Sequence, residues 1–136
     1  MKKFSTECPS ASDFYHLYQT TGWNADQTYG KEQLDQAIRN SWYTLSVYED
    51  EQLIGFGRII SDGVYQAFLC DLIVLPEQRN NGIGSELVER LLAHCKVHGL
   101  RWIQLSCAKG KQAFYERFGF RARPHDAPGM QRFLDQ

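Results

Sequence analysis

The stretch Arg79-Asn80-Asn81-Gly82-Ile83-Gly84-Ser85 has the residue types and spacing to hold an anion. Gly82 and Gly84 remove side chains where a phosphate would have to approach the main chain. The apolar run from Phe68 to Leu75 precedes them and reads as a buried strand, and an amphipathic helical pattern follows. The first N–H groups of a helix have no internal partner and lie at the positive end of its dipole. The spacing therefore predicts a phosphate-bearing ligand gripped by backbone nitrogens from Arg79 to Ser85, with the Ser85 hydroxyl able to add a bond. A ligand-free tight turn is the plainer reading of a bare Gly-x-Gly.

Two common phosphate loops fail on this sequence. The dinucleotide fingerprint needs a third glycine where Leu87 stands, and the nucleotide P-loop needs Ser or Thr after Gly-Lys, whereas Gly110-Lys111 is followed by Gln112. The pattern Arg-x-x-Gly-x-Gly is met, preceded by Leu72-Ile73-Val74-Leu75-Pro76 and followed about thirty residues on by Phe114-Tyr115-Glu116-Arg117-Phe118-Gly119-Phe120. In that order and spacing the two motifs resemble the GCN5-related N-acetyltransferases (the GNAT superfamily), over residues of about 42–122, in the manner of a small bacterial member. The loop of that family often has Gly where Asn80 stands, and Asn tolerates left-handed backbone better than most residues.

The resemblance implies an α/β (α+β) fold, with a mixed, mostly antiparallel sheet splayed at its central parallel strands and helices on both faces. It implies acetyl-CoA as acetyl donor. The diphosphate would lie on the loop, and the pantetheine arm would run beside Leu72, Ile73 and Val74 as a pseudo-strand, leaving a backbone N–H such as that of Val74 for the developing oxyanion. It implies Tyr115 as the acid that protonates the departing thiolate, against a packing role for the same ring. For the base it points to a carboxylate on a central strand, which here is Asp71. Asp71 sits in an apolar run and needs either a proton-transfer role or a hydrogen-bonded or ionic partner, and both readings stay open. His16 and Asp62 are rivals. Phe68 stands at one position where the histone enzymes of the family place their glutamate, which argues against copying their mechanism.

The expected reaction is acetyl transfer from acetyl-CoA to a primary amine of a small molecule by direct attack on the thioester. A protein lysine or N-terminal acetyltransferase and a non-catalytic acyl-CoA sensor are the alternatives. Trp23, Tyr29, Arg58 and Tyr65, with the Ser61-Asp62-Gly63 turn, are candidates for the acceptor side, since aromatics with a carboxylate suit a cationic amine. The stretch Arg123 to Met130 is similar to that of uncharacterised small bacterial members. Small members of the family often form homodimers, a state the sequence leaves open.

The chain has 136 residues, 43% apolar and 23% charged, with net charge −1, which suits one globular domain over 1–136 and gives no basic field for nucleic acid. No apolar run reaches the roughly 18 residues of a membrane span, and Met1 to Ser5 lacks the apolar core of a signal peptide, so a cytoplasmic protein without membrane contact is expected. Cys8, Cys70, Cys95 and Cys107 show no paired spacing and read as small hydrophobes. His94 and His98 share a helix face but lack further ligands, so no metal is expected.

The elements that must position these groups follow from periodicity and punctuation. Ser10 to Asp13 offers caps for a helix carrying Phe14, Leu17 and Tyr18 and stopped by Gly22; Lys31 to Arg39 reads as a second helix. Trp42 to Tyr48 and Gln52 to Ile60 form a hairpin about Glu49-Asp50-Glu51. Gly55 and Gly57 suggest a bulge or a close backbone approach. A third strand is expected over Val64 to Leu75, bent near Ala67, then a helix from Gly82 to Gly99 and a parallel strand over Trp102 to Cys107. Lys111 to Phe118 reads as a short helix, and 120–123 and 130–134 as closing strands.

Overall fold

The computed structural model describes residues 1–134; the last two positions of the expected domain, Asp135 and Gln136, lie outside the described residues. The chain forms two compact units, Met1–Leu105 and a second starting at Ser106. The first holds a five-stranded sheet of β1 (Lys2–Ser5), β2 (Tyr43–Glu49), β3 (Gln52–Ser61), β4 (Gln66–Val74) and β5 (Trp102–Gln104), ordered in space as in sequence. Neighbours are antiparallel up to β4, and β4 and β5 are parallel. Three helices accompany it: α1 (Ala11–Gln19), α2 (Lys31–Arg39) and α3 (Ile83–Val97). The strand β1 was not among the expected elements; four residues are too few for alternation to show.

Local chemistry sets the helix starts. Ser10 Oγ accepts from the Asp13 N–H at 3.1 Å and caps α1. Gln33 Oε1 accepts from the Gly30 N–H at 2.9 Å at the start of α2. The β2–β3 turn has positive φ at both Asp50 and Glu51, the backbone that a two-residue hairpin demands.

The side-chain alternation of β3 assigns the faces. Phe56 meets Phe14 of α1 edge-on at 4.8 Å between ring centres. Gly55 and Gly57 point the other way, at α3: a Cβ on Gly57 would lie 2.8 Å from Leu91 Cδ1, and one on Gly55 would lie 3.1 Å from Ile83 Cγ2. The expected close approach is therefore that of α3 to the sheet. Fully buried Ile59, Leu87, Val88 and Leu91 are part of the resulting core.

Two strand expectations need correction. β4 begins at Gln66 and bends at Asp71, whose φ is +52, rather than near Ala67. Phe56 faces Ile73 and Arg58 faces Cys70, so Asp71 and Leu72 together oppose Gly57, which makes a β-bulge. β5 ends at Gln104 rather than Cys107.

The second unit contains α4 (Gln112–Glu116), followed by Gly119 at φ +91. The expected closing strands over 120–123 and 130–134 are absent among the described residues. Pro124 and Pro128 offer no N–H to a ladder, a turn joins the Ala127 N–H to Pro124 O at 3.0 Å, and Met130, Phe133 and Leu134 are exposed.

Candidate active site

The loop after β4 has the backbone that the sequence asks for. The Leu75 N–H donates to Ile54 O at 2.9 Å and pins the end of β4 to β3. Pro76–Gln78 makes one 3₁₀ turn, Asn80 has φ +67, and Gly82 has φ +80 immediately before α3. Asn80 thus takes the left-handed conformation in which glycine is commoner. Gly82 brings no side chain to cap α3, the first helical bond runs from the Glu86 N–H to Gly82 O at 3.1 Å, and a Cβ at Gly82 would meet nothing within 4 Å. Arg79 to Gly82 are exposed, whereas Ile83 and Leu87 are buried beneath them. The helix start is therefore anchored from below and open above, as an anion cradle requires.

Beside the loop, β4 has an open edge. Its rungs with β5 end at Phe68 and Gln104, so among the described residues the strand from Leu69 to Val74 has no strand partner on that side. Backbone groups alternate sides along a strand, so the bond from Leu75 toward β3 leaves the Val74 N–H facing the open edge. Val74 O faces the same way and accepts from Arg79 Nε at 3.3 Å, which ties the loop arginine to the strand end. Ile73 lies opposite Phe56 of β3.

On the α1 and α2 side of the sheet lies a cleft of about 490 Å³, lined in part by Tyr18, Tyr29, Gln33, Asn40, Arg58 and Asp71. At its floor Arg58 Nε donates to Asp71 Oδ2 at 2.7 Å, across the bulge. Arg58 Nη1 donates to Ala37 O at 3.1 Å and to Ser41 Oγ at 3.2 Å, which joins the end of α2 to the same pair. Burial, and next the negative charge of Asp71, push the Tyr18 phenol up from its ordinary range, and Arg58 works against both. The far wall depends on Asn24, 2% exposed, whose side chain donates to Gln19 Oε1 and Tyr29 O and accepts from the Tyr29 N–H.

Four expected residues of the first unit, His16, Asp62, Tyr65 and Trp23, do not line this cleft. His16 is exposed on α1. Asp62 accepts from the Val64 and Tyr65 N–H groups at 2.8 and 2.7 Å, and these bonds hold its carboxyl below the usual range. Tyr65 packs edge-on against Trp102 at 5.5 Å. Trp23 packs edge-on against Tyr18 at 5.8 Å. In the second unit Tyr115 lies among Phe114 and Phe120, and burial, followed by Cys107, pushes its phenol up to about 12. It therefore carries its proton at neutral pH. Among the described residues no three His, Cys, Asp or Glu side chains gather as a metal site. Sequence reading did not single out Asn24 or assign Tyr18 to the cleft: an Asn in a polar loop gives no sign of burial, and Tyr18 is indistinguishable by spacing from a core position.

Comparison with known proteins bears on the family and the fold. The family model described as acetyltransferase (GNAT) family matches residues 11–120. A GNAT-family acetyltransferase from Streptococcus pneumoniae has the same fold, with a TM-score of 0.83, 28% identity and full coverage of both chains. GCN5-related N-acetyltransferase 2, chloroplastic, of Arabidopsis thaliana is 33% identical over 60% of this chain and 32% of its own length. A Glycine max protein named histone acetyltransferase TAP1 is 28% identical over 87% of this chain and 54% of its own. The chain thus spans about half or less of the length of these two curated relatives.

Proposed function

The chain belongs to the GNAT acetyltransferase family, and from that premise we propose that it transfers the acetyl group of acetyl-CoA to a primary amine of a small molecule. The observation that carries the reading is the open edge of β4 running into a left-handed loop and an uncapped helix start. Acetyl-CoA would supply an activated thioester carbonyl and a diphosphate. Backbone nitrogens of the Arg79 to Ser85 loop would hold the diphosphate, the Arg79 N–H itself being bonded to Pro76 O, and the backbone of Leu72 to Val74 would orient the pantetheine arm. The Val74 N–H is the donor for the oxyanion. The acceptor amine occupies the cleft of α1, α2, β3 and β4. Asp71 takes its proton, a bond forms from nitrogen to the acetyl carbon, the carbon–sulfur bond breaks, and Tyr115 protonates the sulfur.

A cleft of about 490 Å³ with neutral side chains around one ion pair fits a small molecule. A lysine-rich protein tail would need an acidic groove. Protein acetylation, suggested by the name of the soybean relative, remains the second reading. Acetyl-CoA chemistry also accords with a cytoplasmic setting, which is part of the proposal.

Thiol release from acetyl-CoA across a panel of amines and lysine peptides tests it, with calorimetry for CoA in parallel. Turnover on small amines is expected. Turnover confined to peptides moves the reading to protein acetylation, binding of CoA without turnover on either class moves it to a sensor, and no CoA heat from folded protein removes it.

A further inference from the structure

The ion pair at the cleft floor is only half used. Arg58 spends Nε on Asp71 and Nη1 on Ala37 and Ser41, and Asp71 spends Oδ2. Nη2 and Oδ1 have no hydrogen-bond partner among the described residues. The side chains are 14% and 21% exposed, and among the described residues Ser46 Oγ is the only buried side-chain polar atom without a partner, so Nη2 and Oδ1 reach solvent. Among the described residues these two are also the only charged groups lining the cleft; the remaining polar lining is amide and phenol. The floor thus presents an anionic acceptor beside a cationic donor, with no surplus of either charge.

A ligand is recognised best when it meets each unused group with its complement and leaves none desolvated and unpaired. A simple alkylamine would engage Oδ1 and leave Nη2 uncovered. A diamine would bring a second positive charge toward Arg58. A compound with a carboxylate close to its amine satisfies both: the amine at Oδ1, the carboxylate at Nη2 in a charge-assisted bond. Resting on the function proposed above, we infer that Arg58 is a specificity-determining residue and that the acceptor is an amino carboxylate.

The test uses matched pairs that differ by the carboxylate alone: tyrosine with tyramine, lysine with cadaverine, glycine with methylamine, each with saturating acetyl-CoA. The wild-type chain is expected to show kcat/KM higher by about tenfold or more for the carboxylate member of the best pair. Arg58→Gln is expected to bring that ratio close to one, and Arg58→Lys to restore part of it. The ratio is internal to each preparation, so a loss of folded variant cancels, and the wild-type ratio stands even if both variants fail to fold. A wild-type ratio at or below one, with CoA binding intact by calorimetry, overturns the inference while leaving acetyl transfer in place. An undiminished ratio in folded Arg58→Gln overturns the role of Arg58. Absence of CoA heat in the wild-type chain overturns the parent reading, and this one with it.

Discussion

Phe68 and Gln104 form the last rung between β4 and β5, and beyond it β4 runs six residues, Leu69 to Val74, with no strand paired to that edge among the described residues. Unpaired strand edges are ordinarily covered or blunted. Here that edge leads, through a 3₁₀ turn whose Gln78 and Arg79 N–H groups bond Leu75 O and Pro76 O, to the helix start of α3, so an extended ligand has the strand edge for its arm and the helix start for its diphosphate.

Gly84→Asp separates binding from folding at that helix start. An acidic residue in the first turn favours the helix through its dipole, so the thermal midpoint should hold or rise slightly. The same charge repels a diphosphate, and CoA affinity should fall by roughly tenfold or more. Wild-type affinity in calorimetry would contradict the loop assignment.

Asn24→Ala should cost about 1 kcal/mol in denaturant unfolding, because the Tyr29 N–H and C=O lose their partner in a part-buried setting. Its kinetic signature should be a raised KM for the acceptor, since Tyr29 forms part of the cleft wall, with CoA affinity unchanged.

Tyr115→Phe should lower kcat by about ten- to a hundredfold without weakening CoA binding, if the phenol protonates the thiolate. The pH dependence of stability gives a second readout. The folded unit favours the neutral phenol, so the stability this group contributes is whole below about pH 10, where the unfolded chain is also protonated. It is lost as pH rises toward the folded value of about 12. Denaturation midpoints should fall more steeply across this range in the wild-type chain than in Tyr115→Phe.

Asp62→Asn should weaken the β3–β4 turn while leaving turnover intact, because the carboxylate is occupied by the Tyr65 and Val64 N–H groups. These bonds favour the charged form, so the contribution is whole above the ordinary carboxylate value and is lost as pH falls below that value through the lower folded one. A large fall in kcat at unchanged stability would return Asp62 to the list of bases.

The sequence by itself determined the parts governed by near neighbours. Gly82 and Asn80 supply residues tolerant of positive φ where the loop turns, Ser10 supplies a cap, and the Leu87, Val88, Leu91 periodicity supplies the face that α3 buries. These signals sit within a turn or two of the structure they specify, which is why the loop, the helices and the hairpin were legible. The closing strands were misjudged for the same reason: apolar residues near 120 and 130 mimic strands, but a strand exists only if something pairs with it.

The tertiary structure alone decided what meets in the cleft. Arg58 and Asp71 are thirteen residues apart and touch because β3 and β4 pair in one register, and their distance depends on the bulge at Asp71. Tyr18 joins them from α1 and Tyr29 from a loop held by a buried Asn24. Register and helix docking are sums over many weak contacts along the chain, so no short stretch encodes them.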